Sequence, residues 1–233
     1  MNLKSLREEV LEANQELVKQ NLVVFTFGNA SGLDRASGLV AIKPSGVPYD
    51  TMKPSDLVVV DLEGKRVEGE LRPSSDLATH LALYRAFEGV NGVVHTHSRY
   101  ATAWAQADME IPCLGTTHAD YFRGAIPATG EMQACEIESE YEWNTGQAIV
   151  RRFQVLDPLA TPAVLVSGHA PFCWGRSASQ AAHTAVVVEE LAHMAYLTLT
   201  LRSDLKGISE TLRDKHFLRK HGPGAYYGQK AAG

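Results

Sequence analysis

Short runs of β-branched and aromatic residues alternate with longer amphipathic segments along this chain, and this alternation restricts the fold more than any other feature. A run of roughly four to eight apolar residues that ends at glycine, proline or a polar turn is typical of a buried strand. Longer segments with apolar side chains at helical spacing are typical of helices covering a sheet. The pattern therefore predicts an α/β protein with a central sheet covered by helices.

The predicted strands are LVVFTFG (22–28), LVAIKPSG (39–46), GVVHTH (92–97), PAVLVSGHAPF (162–172) and a hairpin over 56–69 with its turn near Gly64. The predicted helices cover 2–20, 75–87 after a serine cap, 99–107, about 130–153, and 177–201. The tail, 215–229, receives no element. Several strands resemble hairpin partners, so the sheet should be mixed or mostly antiparallel. We find no repeat, linker or composition break, which predicts a single domain over residues 1–233.

The composition argues against several classes of protein. The formal net charge is −5, without the basic excess typical of nucleic-acid binding. No apolar run approaches the roughly 18–20 residues that span a bilayer, and the charged N-terminus has no secretory signal. Three cysteines without a C-x-x-C pair indicate a reducing compartment. We therefore expect a cytoplasmic protein that binds neither nucleic acid nor membrane.

Two histidines one residue apart follow an apolar run in GVVHTHSRYA, residues 92–101. In an extended strand, residues i and i+2 point to the same face and lie about 6.6 Å apart. Side chains at that spacing can converge on one metal ion, with Zn–N bonds of about 2.0–2.1 Å. His95 and His97 are therefore candidate ligands, provided that residues 92–97 are extended.

A third ligand is needed for a tight site, and His169 is the best candidate. It lies where the buried run AVLVSGH gives way to a loop, and such loops commonly carry functional residues. A lone H-x-H has no better than roughly even odds of binding metal. His183 and His193 lie in one long helix and are better explained as structural or solvated. Three histidines without a cysteine fit a catalytic ion better than a structural zinc site.

Three short turns offer small residues, backbone N–H groups and hydroxyls: GNAS (28–31), KPSG (43–46) and the serine pair 74–75. Such groups can cradle a phosphate, and Lys43 adds a point charge. Taken singly, each segment is more often an ordinary turn. Their spacing does not match a Walker A loop, so we expect no nucleotide.

The chain resembles the class II aldolase/epimerase family, and the epimerases of that family in particular. The motifs that carry the resemblance extend over essentially the whole chain: FGNASGLD (27–34), IKPSG (42–46), PSSD (73–76), HTHSRYAT (95–102), THADYF (117–122), EYEWNTG (140–146) and DKHFLRKHG-x-x-AYYGQ (214–229). Any one of them alone is weak evidence, but the set is specific. The resemblance implies a class II aldolase-like fold, a phosphorylated ketopentose substrate, and a homotetramer with active sites at subunit interfaces.

The resemblance also implies a divalent metal cofactor, Zn²⁺ first, with Mn²⁺ or Co²⁺ as alternatives. The ligands would be His95, His97 and His169, with Asp76 as a further ligand or near neighbour. Relatives often have an H-x-H before G-P-F, whereas this chain has SGHAPF. The histidine that matches the ligand is retained, and Ser167 replaces the other.

The activity implied is inversion at C4 of L-ribulose 5-phosphate to give D-xylulose 5-phosphate. The proton on C4 is not acidified by an adjacent carbonyl, so breaking and remaking the C3–C4 bond is the expected route. Asp120 and Tyr227 would handle protons on opposite faces, with Tyr227 reaching in from a neighbouring subunit and His216 assisting. The substrate phosphate would be bound by the three turns, through Gly28, Asn29, Lys43, Ser45, Gly46, Ser74 and Ser75.

Two other functions compete with this one. A class II sugar-phosphate aldolase, of the fuculose- or rhamnulose-phosphate type, would share the histidines and the turns. Aldolases that resemble this chain have glutamate at position 76, so Asp76 favours the epimerase. A non-catalytic binding module of the same fold, as in cytoskeletal proteins, would have no reason to keep three convergent histidines. The pathway that supplies the substrate, from arabinose, ascorbate or another source, stays open.

Overall fold

The computed structural model describes residues 3–227. Seven strands form one sheet: β1 (Asn29–Asp34), β2 (Leu39–Ile42), β3 (Val58–Asp61), β4 (Arg66–Glu68), β5 (Gly92–His95), β6 (Ala163–Leu165) and β7 (Pro171–Gly175). Their order across the sheet is β4-β3-β2-β1-β5-β7-β6, and every neighbouring pair is antiparallel. The predicted mostly antiparallel sheet is confirmed.

Helices lie on both faces of this sheet. They are α1 (Leu3–Lys19), α2 (Leu77–Ala86), α3 (Arg99–Gln106), α4 (Thr116–Ala119), α5 (Ala134–Ile137), α6 (Tyr141–Arg152), α7 (Ala178–Leu201) and α8 (Glu210–His221). The predicted α/β class is therefore confirmed. Within residues 3–227, none of the helices has the length and apolar character needed to cross a bilayer.

Strand side chains alternate between two hydrophobic cores, one on each face of the sheet. On β2, Ala41 packs in the core that contains Val10 of α1 and the buried face of α7. Its neighbour Val40 packs in the other core, with Ile149 of α6 and the buried face of α2. Because both faces are covered, β2 and β3 read as nearly continuous apolar runs rather than as an apolar–polar alternation.

The strand predicted over residues 22–28 is wrong. The backbone turns there, with a φ of 53° at Phe25, and the residues Phe25 and Phe27 are 83% and 54% exposed. The strand forms one segment later, as β1, whose small residues allow α1 to approach closely. A Cβ at Gly32 would lie 2.8 Å from Val10 Cγ2. Whether a segment forms a strand depends on its packing as well as on its residue types. Here the packing of α1 stabilises β1 as a strand although its residues have low intrinsic strand propensity.

The single strand predicted over 162–172 is two strands. β6 ends at Leu165, and a tight turn follows in which the Val166 N–H donates to the Ala170 carbonyl at 3.0 Å. β7 then begins at Pro171 and continues to Gly175 beside β5. The turn that joins the two strands carries His169.

Three further differences concern helix boundaries. The helix predicted near 130–153 is divided into α5 and α6, and the tail contains α8, which the sequence pattern did not predict. The residue at the N-cap of α2 is Asp76 rather than a serine. The predicted hairpin is confirmed as β3 and β4, with a positive φ of 84° at Gly64 in the turn.

Candidate active site

The two histidines of the H-x-H motif converge at the end of the central strand β5. His95 is the last residue of β5, and the chain has left the strand at His97, so the strand is shorter than predicted. Their Nε2 atoms nevertheless lie 3.1 Å apart. Two nitrogen ligands on one tetrahedral ion, at bonds of about 2.0–2.1 Å, would be about 3.3 Å apart. The pair therefore has the spacing of neighbouring metal ligands.

His169 completes a cluster of three imidazoles. Its ring centroid lies 4.8 Å from that of His95 and 5.1 Å from that of His97. One potential ligand nitrogen from each residue falls within 4.8 Å of the others. We refer to His95, His97 and His169 as the metal cluster. The structure thus brings together the three histidines that the sequence singled out.

The orientation of His95 is fixed by its neighbours. Its Nδ1 donates to the carbonyl oxygen of Pro171 at 3.0 Å, and its ring stacks on Phe172 with centroids 4.3 Å apart. A carbonyl oxygen can only accept, so Nδ1 carries the hydrogen and Nε2 keeps its lone pair when the ring is neutral. A histidine that binds a metal commonly donates its other ring N–H in this way.

Burial keeps the metal cluster neutral. It lowers the pKa of His95 to about 3 and also lowers the pKa values of His97 and His169. Neutral imidazole is the form that coordinates a metal. His169 Nδ1 is buried and has no hydrogen-bond partner among residues 3–227. Neutral, convergent imidazoles and a buried nitrogen without a partner fit a divalent ion.

Asp76 adds a carboxylate beside the metal cluster. Burial alone would raise its pKa, but the neighbouring His95 and His80 and a hydrogen bond from Asn29 outweigh this, so the pKa is lowered. Asn29 Nδ2 donates to Asp76 Oδ2 at 2.6 Å. A buried ionised carboxylate among imidazoles is a donor set that suits zinc, manganese or cobalt.

A cavity of about 590 Å³ opens onto the metal cluster. Its walls include Asp76, the metal cluster and every residue predicted to bind phosphate: Gly28, Asn29, Lys43, Ser45, Gly46, Ser74 and Ser75. Lys43 is 1% exposed, and its Nζ donates to the Pro44 carbonyl at 3.3 Å and lies 4.7 Å from the Tyr49 ring centroid. Burial lowers the pKa of Lys43. A buried cation with few protein partners is a natural anchor for an anion.

Asp120 lies in a second cluster and is not among the residues that line this cavity. It follows α4, and its carboxylate faces α8. Arg219 donates Nε to Asp120 Oδ1 at 2.9 Å and Nη2 to Oδ2 at 2.6 Å, while His216 Nδ1 lies 3.0 Å from Oδ1. Burial raises the pKa of Asp120, but hydrogen bonds from Arg219 and His216 outweigh it, so the pKa is lowered. Asp120 is therefore ionised at neutral pH.

Tyr227 joins this second cluster through the same arginine. Arg219 Cζ lies 4.7 Å from the centroid of the Tyr227 ring, and Lys220 Nζ lies 4.5 Å from it. The tyrosine is 59% exposed. We refer to Asp120, His216, Arg219 and Tyr227 as the Asp120 cluster. The structure thus brings the three predicted catalytic residues together, but none of them lines the cavity that contains the metal cluster of the same chain.

Several residues of both regions were missed by sequence reasoning. Tyr141 and Glu142 line the cavity, and the Tyr141 ring lies 6.2 Å from that of His169. They belong to the motif EYEWNTG, and the sequence alone assigns its members no role. Arg219 and Lys220 belong to the tail motif over residues 214–229, and the sequence alone assigns them no role either. Phe27 also lines the cavity, and it lies in the segment 22–28, which forms a turn rather than the predicted strand.

The fold and the site define a protein of the class II aldolase type. Residues 8–196 match the family described as Class II Aldolase and Adducin N-terminal domain, and the chain belongs to this family. Among curated proteins, L-ribulose-5-phosphate 4-epimerase UlaF of Salmonella paratyphi A is 55% identical over 228 residues, covering 98% of this chain and all of the relative. The protein of the same name from Salmonella typhi matches equally well. The family resemblance noted from the motifs is confirmed.

Solved structures show the same architecture. An L-fuculose 1-phosphate aldolase superimposes with a TM-score of 0.77 at 25% identity, over 91% of this chain and 94% of its own. YgbL from Klebsiella pneumoniae, titled a putative aldolase/epimerase/decarboxylase, superimposes with a TM-score of 0.73 at 22% identity, over 92% of this chain and 99% of its own. These structures confirm the class II aldolase-like fold.

Proposed function

We propose that this chain is a metal-dependent L-ribulose-5-phosphate 4-epimerase. The observation that carries the proposal is the pairing of Asp76 with three convergent imidazoles in a cavity lined by Lys43 and three Gly/Ser turns. The full-length relatives that carry the epimerase name support the same activity. The substrate would be a phosphorylated ketopentose.

Substrate binding would begin with its phosphate. Lys43 supplies a buried positive charge, and the turns containing Ser45, Gly46, Ser74 and Ser75 supply hydroxyls and backbone N–H groups. An anchored phosphate holds one half of the sugar while the C3–C4 bond is broken. The two-carbon fragment would then rotate its aldehyde without leaving the cavity.

The metal cluster and Asp76 would hold the cofactor, Zn²⁺ first and Mn²⁺ or Co²⁺ as alternatives. When bound, such an ion supplies Lewis-acid polarisation of the substrate's carbonyl oxygen. His95 is already oriented for this by Pro171.

Proton transfer would be the task of the Asp120 cluster. Asp120 accepts a hydrogen bond from His216 Nδ1, which fixes the tautomer and leaves Nε2 to accept and return a proton. The Tyr227 hydroxyl would serve the opposite face of the aldehyde. One group takes the proton of the C4 hydroxyl during cleavage, and the other returns a proton after addition to the other face.

Within one chain the Asp120 cluster does not line the cavity that contains the metal cluster. We therefore propose that the enzyme is a homotetramer in which each active site combines the metal cluster of one subunit with the Asp120 cluster of its neighbour. A cytoplasmic location stays a prediction from the sequence.

Product identification tests the proposal. Metal-loaded enzyme is incubated with L-ribulose 5-phosphate, and the products are separated and identified. We expect D-xylulose 5-phosphate. Free dihydroxyacetone and glycolaldehyde phosphate as main products would instead establish an aldolase, the activity named for one of the superimposed structures.

A further inference from the structure

Helix α3 connects two parts of the metal cluster. It begins at Arg99, directly after the segment that contains His97. Its other end reaches Ala107 and Asp108, beside the β6–β7 turn that carries His169. The position of His169 relative to His97 therefore depends on how firmly this turn is held by the end of α3.

Three hydrogen bonds join the β6–β7 turn to residues outside it. The Gly168 N–H donates to the Ala105 carbonyl at 2.9 Å, and the Ser167 N–H donates to Thr129 Oγ1 at 3.1 Å. The Ser167 hydroxyl donates to the carboxylate of Asp108. Ser167 is thus bonded through both its backbone and its side chain, two residues before the ligand.

Asp108 occupies a special backbone position. Its φ is 52°, in the left-handed region that aspartate and asparagine enter more readily than other residues with a Cβ. Its own N–H donates to the Ala105 carbonyl at 3.1 Å, the carbonyl that also accepts from Gly168. The end of α3 and the turn thus share one acceptor, and the Asp108 carboxylate adds a second connection.

We propose that Asp108 is a positioning residue for His169, acting through its hydrogen bond with Ser167. The proposal rests on the metal site of the proposed function. It gives Ser167 a role, because its hydroxyl and its backbone N–H secure the turn that presents the ligand. Asp108 itself touches neither the ion nor the substrate.

Metal-binding measurements on full-length protein test this. Asp108→Gly removes the carboxylate while tolerating the positive φ, Ser167→Ala removes the hydroxyl, and Asp108→Asn keeps both the acceptor and the tolerance. We expect Zn²⁺ affinity, measured by chelator competition, to fall about 3- to 10-fold in the first two variants. This loss is at or below the lower end of the roughly 10- to 100-fold loss usual when a hydrogen-bond partner of a metal ligand is removed. Their double variant should lose no more than either alone, and Asp108→Asn should bind nearly as wild type.

A second measurement separates positioning from general stability. At saturating Co²⁺, the visible absorption spectra of Asp108→Gly and Ser167→Ala should differ from that of wild type. The melting temperatures of the metal-free variants reveal any general folding defect. Wild-type affinity and spectra in both variants would overturn the proposal, as would equal losses in Asp108→Asn. Failure of the wild-type protein to bind Zn²⁺ or Co²⁺ would instead contradict the proposed function.

Discussion

His95 donates its Nδ1 hydrogen to the carbonyl oxygen of Pro171 at 3.0 Å, across the pairing of β5 with β7. The acceptor is backbone within the sheet, so the ring orientation is set by the fold rather than by an ion. His95 is therefore preorganised, and the remaining adjustment on metal binding falls on His97 and His169.

Replacing His97 with asparagine should weaken metal binding. The variant loses a nitrogen 3.1 Å from His95 Nε2, so Zn²⁺ affinity should fall by at least about 100-fold, beyond the usual effect of an outer-shell change. His183→Asn, an exposed histidine on α7, is the matched control and should bind normally. Metal content after dialysis, measured by atomic emission, distinguishes them. Unchanged content in His97→Asn would remove it from the ligand set.

Lys43→Met should impair binding of the substrate phosphate while preserving side-chain length and packing. Losing a charge-assisted hydrogen bond worth about 1.5–3 kcal/mol predicts a loss in kcat/KM of about 10- to 160-fold. Inhibition by inorganic phosphate should weaken in parallel. Lys53→Met, at an exposed lysine, should leave both quantities as in wild type. Equal phosphate inhibition in Lys43→Met and wild type would contradict the anchor.

Tyr227→Phe should reduce turnover without removing the metal. Loss of a positioned proton donor or acceptor predicts a fall in kcat of about 10²- to 10⁴-fold. Tyr226→Phe changes an adjacent tyrosine of similar exposure and should be nearly silent. Steady-state kinetics with measured metal content compares the two. Equal activity of both variants would exclude Tyr227 from proton transfer.

Mixed oligomers test whether each site spans two subunits. His97→Asn and Asp120→Asn should each be nearly inactive alone, because one lacks the metal cluster and the other the Asp120 cluster. After dissociation and joint reassembly, the mixture should regain up to about a quarter of wild-type activity, since some sites combine intact halves in a closed ring. No regain despite proven mixed assembly would place both clusters in a site built by one chain.

The metal-free protein should lose stability as the pH falls from about 6.5 to about 4. Burial lowers the pKa of His80 to about 4, that of His95 to about 3 and that of His118 to about 4. In this interval the unfolded chain binds protons that the folded chain does not, so unfolding becomes easier as the pH drops.

His118 offers the cleanest test of that pH dependence, because it lies outside the metal cluster. In His118→Gln, the loss of unfolding free energy between pH 7 and pH 5 should be smaller by about 2 kcal/mol. Urea unfolding in the presence of a chelator measures the difference. The same loss in variant and parent would show that His118 does not contribute.

The residues of the metal cluster were predictable because their signal is local. H-x-H and the glycine- and serine-rich turns are short patterns whose chemistry depends on residue type and close spacing. The strand at 22–28 was mispredicted because Phe25 and Phe27 have strand propensity but lie exposed in a turn. β1 was not predicted because its small residues have low strand propensity. They form a strand because they allow α1 to pack closely, and this contact cannot be read from a local sequence pattern.

The position of the Asp120 cluster could not be predicted for a related reason. Asp120 and Arg219 meet only because α8 packs beside α4, a contact between segments far apart in the chain. The family resemblance supplied roles for Asp120, His216 and Tyr227, but the residues themselves gave no sign of their association. Arg219 was overlooked because a basic residue in a charged tail has no distinctive pattern.

The two clusters differ in how deeply they are built into the fold. β5 lies between β1 and β7 in the sheet, whereas α8 packs chiefly on α4 and has one buried residue, Phe217. Peripheral elements open at lower free energy than central strands. Mild denaturant should therefore detach α8 before the sheet melts. Turnover would then cease while the metal stays bound, and amide exchange would be fast in α8 and slow in β5.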